Sequence, residues 1–343
     1  MIDIKLEKKK ELLIEITNKC PFCCIFCSSY SSIKKNKFIK SSDFFKIISD
    51  AKEIGIDIIQ LSGGEPFLHP KIKKFIDFVL KKGLLLEIYT CGNVYKDGNY
   101  LPIQSNLLLN YKNNPNLTLR FNFQTINEEV FKKLTNNSMG LENLITSIKR
   151  CTKNNIKTEV HIIPTSLNVT QLVPTIDYLL NELKITHIKI LRLILHGRAQ
   201  ENYEKLIFNE NDLNKTIFNL RKKYQTSEVE IGTAFSILSN SCRECQAAKN
   251  KFMITVDLKL FPCTAFKNKT DYFVKIDQKT SLKKIISHKL INRKMQICRE
   301  NLKCNYCLDR ESCNEICPIQ KMVCNKFSQI DISELLIISK VSH

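Results

Sequence analysis

The chain has 343 residues, 43% hydrophobic and 25% charged, enough apolar material for one large domain or two ordinary ones, which excludes a disordered chain. The lysine-rich start is followed only by the short apolar run Leu12 to Ile16, and no later stretch reaches membrane-span length, so a cytoplasmic protein with no membrane partner is expected. The fifteen cysteines then point to metal rather than disulfides, and the net charge of +19 comes from scattered lysines without an aromatic platform, which argues against a nucleic-acid partner.

In chain order, six short apolar runs read as strands: Leu12–Ile16, Ile58–Leu61, Leu85–Tyr89, Leu119–Phe123, Thr158–Ile163 and His187–Leu193. Amphipathic segments at Ser42–Ile54, Ile72–Lys82, Asn127–Leu134, Leu141–Asn154 and Val173–Leu183 read as the helices between them. Ser41 and Ser42 are expected to cap the first helix, and Gly55, Gly83 and Asn155 stand where helices should stop. This alternation predicts an α/β fold of successive βα units around a parallel sheet or barrel. From about residue 230 the character changes. Nine of the fifteen cysteines lie between Cys242 and Cys324, with hairpin-like strands around Phe252–Val256 and Leu260–Pro262, so two domains are expected, 1–230 and 231–343.

Directly after the first strand, Cys20-Pro-Phe-Cys-Cys-Ile-Phe-Cys27 sets Cys20, Cys24 and Cys27 at C-x3-C-x2-C spacing. Three thiolates suit three irons of a four-iron cluster and leave the fourth open to nitrogen and oxygen donors of a small molecule. Loops after barrel strands are also where catalytic residues gather. Cys23 offers an alternative C-x2-C pair with Cys20, as in a zinc site. After the second strand comes Leu61-Ser-Gly-Gly-Glu-Pro66. Its glycines let backbone carbonyls approach a ligand, and Glu65 can accept hydrogen bonds from an ammonium; read alone, the segment is equally a turn.

The cysteine loop resembles that of the radical S-adenosylmethionine superfamily. The resemblance implies that the fourth iron binds the amino and carboxylate groups of S-adenosylmethionine, whose one-electron reduction releases a 5′-deoxyadenosyl radical. Phe26 matches the aromatic residue before the third cysteine, near the adenine, and Gly63, Gly64, Glu65 and Pro66 match the Gly-Gly-Glu-Pro motif. Tyr89-Thr-Cys-Gly-Asn93 resembles the family's Thr-Asn-Gly segment, with Cys91 in place of the usual polar residue and read as a small buried side chain. Asn122 aligns with a position that contacts the ribose or methionine, an inward-facing packing role being the alternative. Arg192 and Arg198 read as rim charges, and His161 and His196 as structural.

Downstream, Cys304-x2-Cys307-x5-Cys313-x3-Cys317 and Cys324, together with Cys263, resemble the SPASM domain. That family usually has Gly where Leu258 stands, so the turn before Cys263 is expected to differ in detail. The combined resemblance implies a partial (β/α)6 TIM barrel followed by a small cysteine-rich SPASM domain with a β-hairpin and short helices. It also implies two auxiliary clusters, one on Cys242, Cys245, Cys263 and Cys317 and one on Cys304, Cys307, Cys313 and Cys324, making three [4Fe–4S] clusters in all. Two zinc sites are the alternative, and Cys151 and Cys298 fall outside every pattern.

SPASM-containing relatives mostly modify ribosomally made peptides or proteins. The resemblance therefore implies hydrogen abstraction from a peptide or protein, giving a crosslink or an oxidised residue. It also implies an external electron donor such as flavodoxin or ferredoxin and, with only about eleven residues before the first strand, a separate leader-peptide-binding protein. Thr264 stands where sulfatase-maturing relatives carry Asp, which disfavours that activity. The alternatives are oxidation of a small molecule, such as an amino sugar or tetrapyrrole, and a metal-cluster scaffold that binds nucleic acid.

Overall fold

Leu12, Ile14 and Ile16 share one face of the first strand and are fully buried, while Glu15 and Thr17 occupy the opposite face and are buried as well. A strand covered on both sides belongs inside a parallel α/β layer. The computed structural model describes residues 9–194, 196–207, 210–226, 229–233, 246–267, 273–277 and 279–286. In order, its elements are β1 (Glu11–Thr17), α1 (Ser41–Glu53), β2 (Ile58–Gly63), α2 (Ile72–Lys81), β3 (Leu85–Thr90), β4 (Asn93–Lys96), β5 (Asn99–Pro102), α3 (Ser105–Leu109) and β6 (Leu117–Asn122). There follow α4 (Glu128–Thr135), α5 (Gly140–Lys153), β7 (Lys157–Ile162), α6 (Leu172–Asn181), β8 (His187–Ile190), α7 (Arg198–Glu201), α8 (Tyr203–Leu206) and α9 (Glu210–Tyr224). The last are β9 (Glu230–Thr233), β10 (Lys251–Ile254), β11 (Lys259–Phe261), β12 (Val274–Lys275) and α10 (Leu282–Ile286).

One sheet runs in the order β12-β11-β10-β1-β2-β3-β6-β7-β8-β9. From β10 to β9 every neighbouring pair is parallel. The six expected strands form its contiguous middle, β1-β2-β3-β6-β7-β8, and the fold is the partial barrel implied by the sequence. Helices α1, α2, α5 and α6 bury Phe44, Phe75, Leu144 and Ile176 against one face of this sheet. Each such side chain contributes about 1.5–3 kcal/mol relative to exposure. The other face turns to the barrel interior.

Local expectations fared unevenly. Gly55, Gly83 and Asn155 take the left-handed conformation after α1, α2 and α5, as helix stops require. The capping expectation for α1 is corrected: Lys40 is the N-cap with no side-chain bond, and Ser41 and Ser42 already lie in the first turn. The real side-chain cap is Asn127, whose Oδ1 accepts from Val130 N at 3.0 Å at the start of α4.

Two features lie outside the sequence reading. Strands β4 and β5 form a hairpin whose turn residues Asp97 and Gly98 both have positive φ, the requirement of a tight two-residue turn. Strands β10 and β11 are the expected hairpin, but β10 also pairs in parallel with β1 and covers what would otherwise be an open sheet edge. Phe252 and Ile254 thereby join the same apolar core as Leu12 and Ile14.

Candidate metal centre and cofactor site

The cysteine loop leaves the C-terminal end of β1 and is fastened on several sides. Cys20 N donates to Ser32 O at 3.1 Å, and Cys27 N to Cys24 O at 3.2 Å, closing a turn over the last two cysteines of the motif. The C-terminal end of α4 grips the middle of the loop through Cys23 N to Thr135 O (3.2 Å), Ile25 N to Leu134 O (2.9 Å) and Asn136 Nδ2 to Cys23 O (3.0 Å). Cys20, Cys24 and Cys27 are half-buried whereas Cys23 is exposed, which separates the adjacent Cys23 from the other three. Phe26 is buried in a small apolar cluster with Leu134, Ala199 and Leu206.

The arginine read as a rim charge is part of this fastening. Arg198 donates from Nε to Cys24 O at 2.8 Å, from its second terminal nitrogen to Ser31 O at 2.6 Å, and from its own amide to Cys27 O at 3.0 Å. The preceding Gly197 is left-handed, and a Cβ there would lie 2.8 Å from Cys27 O, so only glycine lets the strand-end loop come this close. Rim position was legible from the sequence; the contact was not, because residues 24 and 198 are remote in the chain.

The thiols share one crowded place. Burial raises Cys24 well above the ordinary thiol range, the Cys20 and Cys27 sulfurs raise it further, and Arg198 opposes them. Burial raises Cys27 too, and the nearby backbone amides of Ser29 and Ser31 and the Arg198 charge oppose it. Thiols that resist ionisation together accept ionisation readily when a cationic iron–sulfur core neutralises them, and this donor set fits such a group. Among the described residues no three His, Cys, Asp or Glu side chains converge as they would around a single ion. A four-iron cluster asks for a wider set, one thiolate on each of three irons.

The Gly63–Pro66 segment packs directly under this loop. A Cβ on Gly63 would lie 2.1 Å from Thr17 O, and one on Gly64 2.1 Å from Lys19 O, so both glycines serve a close approach to the backbone after β1. Gly64 N donates to Thr17 O at 2.7 Å and Glu65 N to Lys19 O at 2.8 Å. Glu65 is fully buried. It accepts from Phe67 N (3.1 Å), Thr90 Oγ1 (2.9 Å) and Cys91 N (2.8 Å), which ties β2 to the end of β3. Burial outweighs these neutral donors and lifts its carboxyl to about 7. Pro66 opens a short helical turn that Glu65 caps. Cys91, expected as a small buried side chain, is partly buried, and its backbone N donates to Glu65.

Asn122 ends β6 in register with His161 of β7, and its Oδ1 accepts from the Gln124 amide. Gln124 and Asn168 then bind the ends of β6 and β7 together through Ile163 N and through the Gln124 and Ile163 carbonyls. Below this rim, inward-facing residues form a charged ladder that the sequence reading passed over. Arg120 meets Glu87 at 2.6 Å, Tyr89 Oη at 2.7 Å and Glu159 at 3.1 Å, while Gln60 donates to Glu87 at 2.7 Å. Glu159 also pairs with His161, whose ring stands edge-on to Tyr89. Burial pushes Glu159 up, but the His161 hydrogen bond and the Arg120 charge prevail and hold it at about 2. The signal was present as polar residues alternating with apolar ones along β3, β6 and β7, a pattern equally expected of a solvated sheet face.

Of the cysteines expected to hold auxiliary clusters, Cys263 lies among the described residues, extended, just after β11 and before a short helical turn at Thr264–Phe266. Cys242, Cys245, Cys304, Cys307, Cys313, Cys317 and Cys324 lie outside them. The turn before Cys263 keeps the shape that glycine would give it: Leu258 adopts φ +59°. The expected difference is therefore one of strain, on the order of 1–2 kcal/mol for a residue carrying a Cβ. No helix among the described residues is long and apolar enough to cross a membrane.

A parallel partial barrel with a three-cysteine loop braced on a Gly-Gly-Glu-Pro turn defines an enzyme of the radical class. Residues 14–179 match the Radical SAM superfamily, and this region is a radical SAM domain. Among curated proteins, the GTP 3',8-cyclase of Clostridium acetobutylicum is 25% identical over 280 residues, 77% of this chain and 83% of that protein. The Staphylococcus epidermidis GTP 3',8-cyclase is 22% identical over 284 residues, 74% of this chain and 78% of that protein. Among solved structures, Streptococcus suis SuiB bound to S-adenosylmethionine superposes with a TM-score of 0.70 at 18% identity, covering 91% of this chain and 73% of SuiB. Native anSMEcpe with bound AdoMet gives 0.66 at 13% identity, covering 89% and 88%.

Proposed function

We propose that this chain reductively cleaves S-adenosylmethionine at a [4Fe–4S] cluster held by Cys20, Cys24 and Cys27, and removes a hydrogen atom from a peptide or protein, leaving a crosslink or an oxidised residue. The observation that carries the reading is a loop of three half-buried thiols after β1 whose entry, Thr17 to Lys19, is bonded to the Gly63–Pro66 turn at the C-terminal end of the parallel neighbour β2. When bound, the cluster would supply the electron that splits S-adenosylmethionine into methionine and a 5′-deoxyadenosyl radical, and an auxiliary cluster would accept the electron lost when the substrate radical closes to a crosslink or an oxidised residue.

The chain's own residues supply the frame. Arg198 and Gly197 hold the ligand loop by its carbonyls, so the sulfurs are set before any cluster enters. Gly63 and Gly64 keep the turn against the loop, and Glu65 fixes the turn to β3 while retaining one acceptor lone pair for an ammonium. Asn122 at the rim is proposed to meet the ribose or methionine, and Phe26 to back the adenine side of the loop. Cys263 with Cys242, Cys245 and Cys317, and Cys304 with Cys307, Cys313 and Cys324, are proposed to hold two auxiliary [4Fe–4S] clusters. A flavodoxin or ferredoxin as electron donor and a separate leader-binding protein belong to the same proposal.

A peptide substrate is supported by SuiB having been solved bound to its precursor peptide SuiA, and anSMEcpe with the Cp18Cys peptide. A second reading, a nucleotide substrate, is favoured by the similarity to GTP 3',8-cyclases. The two separate in one experiment. The anaerobically reconstituted chain is given S-adenosylmethionine and dithionite with either GTP or candidate precursor peptides encoded beside its gene. Stoichiometric 5′-deoxyadenosine with a mass change in a peptide supports the first reading. A modified nucleotide with unmodified peptides overturns it in favour of the second.

A further inference from the structure

The segment that carries Cys263 is wired to the cysteine loop by two independent routes. Four residues beyond Cys263, Lys267 Nζ reaches Glu15 Oε1 at 2.5 Å and Ser29 Oγ at 2.6 Å, and Ser29 Oγ in turn donates to Glu15 Oε1 at 3.1 Å. One residue earlier, Phe266 is buried against Met253 and Phe261. The second route runs from Ala265 O to His196 Nε2 at 3.0 Å, and so to the Gly197–Arg198 clamp on Cys24 and Cys27.

The Lys267–Glu15 pair is built in rather than lying on the surface. Its side chains are only 14% and 7% exposed, and together with Ser29, Ser31, Thr255 and Phe261 they line a cavity of about 340 Å³ between the loop and the β10–β11 hairpin. A buried ion pair of this kind repays its desolvation poorly as a stabilising device, so a role in fixing geometry is the better account. What it fixes is Ser29, two residues beyond Cys27 in the cysteine loop.

We propose that Lys267 is a positioning residue that joins the Cys263 segment to the cysteine loop, anchoring Ser29 two residues beyond Cys27 and setting an ammonium close to the radical cluster. The inference rests on Cys20, Cys24 and Cys27 being its ligands. Nearby positive charge favours the more negative, reduced form, and without Lys267 the buried Glu15 carboxylate would stand uncompensated, so Lys267 raises the reduction potential.

The test is an EPR-monitored redox titration of the full-length reconstituted chain with S-adenosylmethionine present, following the signal component that S-adenosylmethionine shifts. Lys267→Met is expected to disfavour reduction about tenfold, a fall of about 59 mV for one electron, at unchanged iron content. Lys267→Arg keeps the charge and holds most of the potential. Ser29→Ala, which removes only the hydroxyl anchor, moves it in the same direction as Lys267→Met by a smaller amount. An unchanged potential in Lys267→Met overturns the proposal. Should that variant fail to load iron, an unchanged potential in Ser29→Ala overturns it instead. A wild-type chain with no S-adenosylmethionine-responsive signal overturns the ligand assignment, and this proposal with it.

Discussion

Glu65 at the rim of the barrel and Glu159 inside it are both largely buried carboxylates on neighbouring parts of one sheet, yet they are driven in opposite directions. Glu65 is surrounded by neutral donors, two backbone amides and a threonine hydroxyl, and burial lifts it to about 7. Glu159 faces the same burial but meets His161 and the Arg120 guanidinium, and stays near 2. Hydrogen bonds favour the ionised form at both, but burial outweighs them at Glu65, whereas at Glu159 the hydrogen bond from His161 together with the Arg120 charge outweighs burial. The interior ladder therefore balances its own charge, whereas the rim leaves Glu65 ready for a cationic group, as the ammonium of S-adenosylmethionine would be.

The sharpest way to break this contrast is to remove the interior cation. Arg120→Met leaves Glu87 and Glu159 buried beside each other without the guanidinium that joins them, and should lower unfolding free energy by about 3–5 kcal/mol in urea denaturation. A cost below about 1 kcal/mol would show that the ladder is solvated. Next in size, Gly64→Ala drives a Cβ into Lys19 O and should cost about 3 kcal/mol while detaching the turn from the cysteine loop, read as lost iron loading at a lowered Tm.

The two carboxylates also predict opposite pH windows in the cluster-free chain. The folded state holds the Glu65 proton more tightly than the unfolded state, so its stabilising contribution is complete below about 4.5 and declines as pH rises toward about 7, by about 3 kcal/mol. The Glu159 contribution is complete above about 4.5 and declines as pH falls toward about 2, by a similar amount of about 3 kcal/mol. Glu65→Gln should flatten only the neutral-side slope of a stability–pH profile and Glu159→Gln only the acid-side slope; slopes exchanged between the two variants would reverse the assignment. The smallest effect concerns the second part of the chain. Truncating a leucine that is only partly buried costs at the low end of the core range, about 2 kcal/mol, and Leu258→Gly relieves left-handed strain of about 1–2 kcal/mol, so its unfolding free energy should lie within about 1 kcal/mol of wild type.

What was legible in the sequence was local. Period-two runs located β1, β2 and β3 within about two residues, and helical periodicity located α1, α2, α4, α5 and α6. The β4–β5 hairpin carried a readable signal in Asp97-Gly98, but its short strands lack the apolar runs that identify the others. The remote contacts had no local trace. Nothing near residue 251 announces that β10 will lie beside β1, nothing near residue 198 that its guanidinium will hold Cys24 O, and nothing near residue 267 that a lysine will reach Ser29. The site motifs were visible by spacing, but the work done by their atoms was not. Gly63 and Gly64 look like room for a ligand in the sequence, and in the fold they are room for the chain itself.

The central claim is that Cys20, Cys24 and Cys27, and not the adjacent exposed Cys23, carry the chemistry. It is tested most directly by reconstituting Cys23→Ala and Cys24→Ala anaerobically and measuring 5′-deoxyadenosine released from S-adenosylmethionine under dithionite. Cys23→Ala should match the wild-type yield and Cys24→Ala should give none. Equal loss in both, or zinc in place of iron in the wild-type chain, would contradict the account.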